Sequence, residues 1–304
     1  MGGKIVLRRN AEEESRKNMK QLSVKELRQV ELDILDDVAN FCDSHNLRYY
    51  LCGGTLLGAI RHQGFIPWDD DIDIIMPRPD YIKFHSLYNK RYRERKSFYR
   101  INSIFTDPNW YSTAAEIEDT RTIRYNHTLS SKQERGISID VFPMDGAPAN
   151  EFRRKVFWLI NNIGSRIATL SFQSFTVSRH FDDEDKRCKT LRKYLRTFIK
   201  FAAILPARCL KPLHLNKWVT DRAMKYDIDK SQFIGVSTFP HYGYRECIRN
   251  KNFLQIRKHI FEGKYYNIPM DYDTYLSNIY GDYMKPPSQK SRNTHHNFSA
   301  YWKK

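Results

Sequence analysis

Apolar residues recur at helical spacing near the start of the chain. They are Leu27, Val30, Ile34, Val38 and Phe41. Residues three or four apart share one face of a helix, so this stripe predicts an amphipathic helix. Ser23 and Glu26 fit a capping box, in which each side chain bonds the other residue's backbone N–H. The pattern predicts a helix from residue 23 to about residue 44, followed by a strand over 47–52.

A strand-like alternation of acidic and apolar residues follows in the stretch Asp69–Ile75. With a period of two, Asp69, Asp71 and Asp73 point to one side, and Ile72 and Ile74 enter the core on the other. Unit charges about 4 Å apart cost about 1 kcal/mol in water and about 4 kcal/mol at an effective dielectric near 20. A divalent cation relieves this repulsion, and oxygen ligands of this kind suit Mg²⁺ or Mn²⁺. The alternative is a solvated acidic turn.

The residues between the strand and the acids suggest an anion site. Gly53 and Gly54 let the backbone turn sharply and approach a ligand closely. Thr55 is predicted to cap a helix start, where free N–H groups favour a phosphate. Arg61 and His62 follow on the same short helix and are candidates for neutralising phosphate charge.

Further acids lie on later predicted strands. Asp140 sits between Ile139 and Val141, which predicts a buried strand that carries one more carboxylate to the metal site. Alone, such an aspartate is more often satisfied by backbone at a strand end. Asp145 is assigned to a Met-Asp-Gly turn. Three other acids, Glu116, Glu118 and Asp119, lie in a predicted meander, and a substrate or metal role for one of them stays open.

Two blocks, Gly54–His62 and Gly64–Asp73, resemble the LicD family, which contains bacterial phosphocholine transferases and is related to fukutin and fukutin-related protein. The resemblance implies an α+β fold, with a nucleotidyltransferase-like mixed β-sheet flanked by helices. It implies transfer of a phospho-alcohol from a CDP-activated donor to a hydroxyl of a cell-surface glycan or glycolipid, with release of CMP. Choline, ribitol and glycerol are the candidate alcohols, with choline first.

The resemblance implies a catalytic metal site formed by Asp69, Asp71, Asp73 and Asp140. Gly53, Gly54 and Thr55 receive the donor phosphates.

The resemblance extends weakly to the C-terminal region. Tyr280-Gly281-Asp282-Tyr283 and Pro286-Pro287 match the family there, and a phosphate or acceptor contact is considered for His295 and His296 beside a surface role. The predicted organisation is a flexible N-terminus (1–22), a catalytic core (23–150), a basic helical insertion (151–235) and a C-terminal part that completes the catalytic domain (236–304).

Charge adds one more candidate surface. The 304-residue chain has a formal net charge of +16, and residues 186–217 contain ten Lys or Arg and no acid. Apolar residues interleave with these bases, which predicts a basic amphipathic helix broken at Pro206 and Pro212. It suits either an anionic membrane surface or a cap packed on the core. Nucleic acid is not expected, because no nucleic-acid-binding motif appears.

The cysteine spacing and the lack of a targeting or membrane-spanning segment indicate where the protein is located, and two other functions remain possible. No Cys-x-x-Cys pair indicates zinc, and the chain as given shows no targeting or membrane-spanning segment, so a cytoplasmic, peripheral protein is expected. The rivals are a nucleotidyltransferase that modifies RNA or a small molecule and releases pyrophosphate, and an inactive membrane-binding module. A choline substrate would call for an aromatic box, which the 19 tyrosines allow without locating it.

Overall fold

The computed structural model describes residues 19–126, 135–172, 202–210, 213–239, 241–288, 292 and 298–303. In chain order the elements are α1 (Val24–Ser44), β1 (Tyr50–Leu51), α2 (Gly53–His62), β2 (Asp73–Pro77), α3 (Arg78–Arg93), β3 (Tyr99–Asn102), β4 (Ala115–Asp119), β5 (Thr122–Asn126), β6 (Ser138–Ala147), α4 (Glu151–Phe172), α5 (Leu215–Ala223), β7 (Phe233–Gly235), β8 (Ile248–Arg249), β9 (Ile256–Phe261), β10 (Lys264–Pro269), α6 (Tyr272–Tyr280) and β11 (Phe298–Trp302). There is also a 3₁₀ turn at Gly243–Glu246 and a helical segment at 202–209.

Seven strands form one mixed sheet. Five of them lie in the order β1–β2–β6–β4–β3, and β7 pairs with the C-terminal end of β6 and with β8. Strands β2 and β6 run parallel, while the other neighbours are antiparallel. Helix α1 packs on β4 and β6, and α3 packs on β2, β3 and β6. The predicted α+β fold, a mixed sheet flanked by helices, is confirmed.

Helix α1 begins where the capping box predicts. The Glu26 N–H donates to the Ser23 hydroxyl at 3.3 Å, and the Ser23 N–H donates to the Glu26 carboxylate at 2.9 Å. All five residues of the predicted apolar stripe are buried, which holds the helix against the sheet. The same helix carries Arg28 and Glu31 towards the acidic segment 69–71.

Strand β6 continues further than the sequence suggests. It runs to Ala147, so the Met-Asp-Gly turn predicted around Asp145 does not form. The Asp145 carboxylate instead accepts two hydrogen bonds from the Arg78 guanidinium, at 2.6 and 2.7 Å, and both side chains are buried. A local sequence pattern cannot show this partner, because Arg78 lies 67 residues earlier in the chain.

The described part of 151–235 is mainly helical. Helices α4 and α5 pack closely at Gly164, where a Cβ would lie 2.6 Å from the Val219 side chain. Strand β7 leaves this region and joins the main sheet through β6. The helical segment 202–209 passes through Pro206, so the break predicted at that residue is wrong. Residues 186–201 and 211–212 of the predicted basic segment lie outside the described residues. A proline removes one helical hydrogen bond without having to end the helix.

The C-terminal part adds a hairpin and one helix. Strands β9 and β10 pair with each other, and β10 contacts β1. Strand β11, near the end of the chain, pairs antiparallel with β5. Among the described helices, none combines the length and apolar character needed to cross a bilayer.

Candidate active site

A cleft of about 630 Å³ opens where β2 and β6 begin. Seven of the nine predicted site residues line it, namely Gly53, Gly54, Arg61, Asp69, Asp71, Asp73 and Asp140. Thr55 and His62 do not line it. The fold therefore brings the glycine segment and four carboxylates to one concave surface.

Asp73 and Asp140 owe their proximity to the parallel pairing of β2 and β6. They are register partners, so their Cα atoms lie about 4.8 Å apart. The Asp140 N–H donates to the Ile72 carbonyl at 3.0 Å and fixes this register. The flanking Ile72 and Val141 are fully buried, so strand alternation turns both carboxylates to the cleft side, as predicted.

Asp69 and Asp71 reach the cleft in a different way from the one predicted. Strand β2 begins only at Asp73, so strand alternation does not orient the two earlier acids. The Asp69 N–H donates to the Ile66 carbonyl at 2.9 Å, and the Arg28 guanidinium donates to the carbonyl oxygens of both residues. A turn held by an arginine of α1 thus positions Asp69.

The acids repel each other. Burial and the charges of Asp71, Asp140 and Asp69 raise the pKa of Asp73 well above its usual range. This electrostatic cost, together with an all-oxygen donor set, fits a hard divalent cation. In the described part of the chain, no three carboxylate, histidine or cysteine side chains lie close enough together to coordinate a metal ion without rearrangement. Mutual repulsion opposes such convergence until a cation compensates it.

The glycines form the first turn of α2, which begins at Gly53 with no side-chain cap. Gly53 has φ +52°, a left-handed conformation, and a Cβ there would lie 3.3 Å from the Asp73 carboxylate. At Gly54 a Cβ would overlap the Asp69 carboxylate. Glycine therefore lets the helix start pass close to the acids, and N–H groups at a helix start without a side-chain cap favour an anion.

The predicted helix cap at Thr55 is wrong, and two of the predicted phosphate-binding residues, Thr55 and His62, do not line the cleft. Thr55 is not the helix cap but a buried residue of the first turn, and its hydroxyl accepts a 2.8 Å hydrogen bond from the Asp73 N–H. It positions Asp73 instead of lining the cleft. His62 is exposed at the end of α2 and lies edge-on to Trp68, with ring centroids 6.4 Å apart. Arg61 does line the cleft, and its guanidinium donates to the Tyr283 carbonyl at 2.7 Å.

The meander acids are buried on β4, and each is paired with an arginine. The Arg124 guanidinium donates to Glu116 at 2.6 Å. Arg100 donates to Glu118 at 2.6 Å, and Arg121 donates to Asp119 at 2.6 Å. None of these three acids lines the cleft, so the structure assigns them to stabilising the sheet. His295 and His296 lie outside the described residues.

Comparison with known proteins agrees with this geometry. Residues 46–168 match the family described as LicD/FKTN/FKRP, nucleotidyltransferase domain. Over 290 residues the chain is 31% identical to the lipopolysaccharide cholinephosphotransferase LicD of Haemophilus influenzae, covering 93% of this chain and 99% of that protein. The chain belongs to the LicD family. It is an enzyme that transfers phosphate-containing groups.

A second, more distant similarity covers only a short segment. The chain is 49% identical over 37 residues to the ribitol 5-phosphate transferase FKRP of human and of mouse, which is 12% of this chain and 8% of those proteins. The relatives of this LicD-family chain thus transfer two different phospho-alcohols.

The LicD cleft also contains residues that the sequence did not single out. Aromatic side chains form much of its wall: Trp68, Phe142, Phe239, His241, Tyr242, Tyr275, Tyr280 and Tyr283. Phe142 and Phe239 are 4.7 Å apart between ring centroids, and the Tyr242 and Tyr280 hydroxyls bond each other at 2.6 Å. Glu246, Asp282 and Lys285 are the charged additions. The Tyr-Gly-Asp-Tyr match at 280–283 was the one sequence signal for this wall.

Proposed function

We propose that this protein transfers phosphocholine from CDP-choline to a hydroxyl of a cell-surface glycan precursor and releases CMP. The observation that carries the proposal is the cleft, in which a glycine-started helix faces four carboxylates and an aromatic wall. Phosphoribitol and phosphoglycerol are the other candidate groups. Lipopolysaccharide, capsule and teichoic acid precursors are the candidate acceptors.

In this proposal Asp69, Asp71, Asp73 and Asp140 would hold Mg²⁺ or Mn²⁺. A cation held by these carboxylates would supply the positive charge that phosphoryl transfer requires. N–H groups of the first turn of α2 donate to donor phosphate oxygens, and this turn has no competing side-chain cap. Arg61 adds a positive charge at the same end of the cleft.

The aromatic wall supports choline over ribitol and glycerol. A quaternary ammonium is attracted to the faces of Trp and Tyr rings, whereas an uncharged polyol gains no cation–π energy. Such contacts contribute about 0.5–2 kcal/mol, which corresponds to roughly 2- to 30-fold in affinity. Trp68, Tyr242 and Tyr280 all line the cleft and are the candidates for this contact.

The direct test is turnover of CDP-choline, CDP-ribitol and CDP-glycerol with lipid-linked glycan acceptors, in Mg²⁺ and in EDTA. The proposal expects metal-dependent CMP release that requires acceptor and is fastest with CDP-choline. Tyr242→Ala should raise KM for CDP-choline but not for CDP-glycerol. Tyr242→Phe keeps the ring and should leave KM for both donors unchanged. Pyrophosphate release from a nucleoside triphosphate would instead identify a nucleotidyltransferase.

We further propose peripheral contact between residues 186–217 and the inner, anionic face of the cell membrane. In the described part, Ile204 and Ala207 are buried, while Leu205 and Leu213 are each 62% exposed. Trp218, just beyond this segment, is 46% exposed. One face thus packs on the protein and another presents apolar side chains next to a basic stretch, which suits a membrane interface.

A further inference from the structure

Glu246 is a buried carboxyl group in the wall of the cleft. It ends the 3₁₀ turn Gly243–Glu246 and is 5% exposed. Its backbone is fixed by close packing, since a Cβ at Gly235 would overlap the Glu246 carbonyl. The residue lines the same cleft as Asp73 and Asp140.

One oxygen of this carboxyl is unused by the protein. Within the described residues, Glu246 Oε2 is buried and has no hydrogen-bond partner. The side chain does bond the Tyr275 hydroxyl, and Tyr275 is itself buried in the cleft wall. A buried polar atom without a partner is costly, so a fixed carboxyl oxygen of this kind is suited to a ligand that supplies the missing hydrogen bond.

Glu246 also differs from the other buried acids of the sheet. Glu116, Glu118 and Asp119 are each paired with an arginine, whereas no ion pair to Glu246 is formed within the described part of the chain. A carboxyl group that is neither neutralised by a cation nor saturated by hydrogen bonds remains available to accept a proton.

We propose that Glu246 is the general base of the transfer reaction and accepts the proton of the acceptor hydroxyl. This rests on the proposed function. The acceptor O–H bond breaks as its proton moves to Glu246 Oε2, and the acceptor oxygen forms a bond to the outer phosphorus of the donor. The bond between that phosphorus and the bridging oxygen breaks, and its electron pair leaves with CMP.

The surroundings of Glu246 suit this role. Burial raises the pKa of Glu246 to about 8, and the hydrogen bond from Tyr275 opposes the shift. In the portion of the chain that the structure describes, the titratable groups that interact with it are Cys52, Asp73, Tyr242 and Tyr275, none of which is cationic. A general base is most effective when its pKa lies near the working pH.

The test compares Glu246→Gln with Glu246→Asp in the CMP-release assay. Gln keeps the shape and an oxygen for Tyr275 but removes the base, so kcat should fall by about 10²- to 10⁴-fold. The wild-type rate should fall at low pH as Glu246 becomes protonated, and this acidic limb of the pH profile should disappear in the Gln variant. The Mg²⁺ concentration that gives the half-maximal rate should not change. Asp, which keeps a carboxylate, should restore part of the rate together with the acidic limb.

Glu118→Gln is the control for replacing a buried acid. Glu118 is also buried, but it is paired with Arg100 and does not line the cleft. This variant should retain the acidic limb. Tyr275→Phe offers a second readout, because removing a hydrogen bond that favours the carboxylate should raise the pKa of Glu246 and move the limb to higher pH.

The outcomes separate this inference from the proposed function. If the wild type releases no CMP from any CDP-alcohol, the proposed function fails. If the wild type is active but Glu246→Gln keeps its rate and its acidic limb, the base assignment fails and the function stands. A variant that instead needs far more Mg²⁺ would make Glu246 a metal ligand and would also overturn the base assignment.

Discussion

Replacing Asp73 by Asn should make the metal-free protein more stable and inactive at the same time. Asp73 and its register partner Asp140 lie about 4.8 Å apart at the backbone. A pair of charges at that distance repels by about 1 kcal/mol in water and about 3.5 kcal/mol at an effective dielectric of 20. The two side chains are half-buried, so the relief lies between these limits.

The pH dependence follows from the raised pKa of Asp73. An acid whose pKa is higher in the folded than in the unfolded chain binds more protons when it is folded. The stability of the metal-free protein therefore falls as the pH rises from the unfolded pKa, near 4, through the folded pKa. Asp73→Asn removes this loss. The stability that the variant gains over wild type should therefore be small at acidic pH and largest at neutral pH and above.

The assay is thermal unfolding of wild type and Asp73→Asn in EDTA and in Mg²⁺. In EDTA the variant should melt a few degrees higher, since about 1 kcal/mol shifts the midpoint by roughly 2–4 °C in proteins of 150–250 residues. In Mg²⁺ only the wild type should gain stability, by about 2.7 kcal/mol at 100 times its Kd. CMP release should be lost in the variant.

Asp70→Asn is the matched control for this experiment, because Asp70 lies in the same acidic run but does not line the cleft. It should keep both turnover and the Mg²⁺-dependent shift. The site assignment is refuted if Asp73→Asn retains CMP release and a wild-type response to Mg²⁺.

Three further outcomes are expected. Gly54→Ala should abolish turnover, since the added Cβ would displace the Asp69 carboxylate, and activity near wild type would contradict this. Thr55→Val should cost about 1–3 kcal/mol of stability in chemical unfolding, because the partly buried Asp73 N–H loses its acceptor, while Thr55→Ser should not. Trp218→Ser should weaken sedimentation with anionic vesicles without changing turnover of a soluble acceptor, and unchanged sedimentation would argue against the proposed membrane contact.

The sequence predicted the local features of this molecule well. The capping box and apolar stripe fixed both the start and the buried face of α1, because helix periodicity and capping depend on residues a few positions apart. The glycine segment and the acids of 69–73 were found for the same reason. Their convergence on one cleft with Asp140 was also predicted, although a turn held by Arg28, and not a strand, places Asp69.

The features that the sequence missed depend on contacts between distant segments. Asp145 was assigned to a turn because its partner Arg78 comes from another element. Glu246 looks like an ordinary surface glutamate in the sequence, and its burial in the cleft comes from the packing of its 3₁₀ turn against Gly235 and against helices α4 and α6. The aromatic wall is drawn from segments around 68, 142, 240 and 280, with no shared period to reveal it.

The position of the acids at the start of two parallel strands explains how the fold can maintain an unfavourable cluster. Beyond Asp73, β2 continues into fully buried residues, and β6 does the same beyond Asp140. The apolar burial of these strands stabilises the register, and the register keeps the two carboxylates adjacent whether or not a cation is bound. If burial is what holds them, Val141→Ala should lower stability in EDTA and in Mg²⁺ equally. A loss confined to the metal-free protein would mean that the cation, and not the core, sets the register.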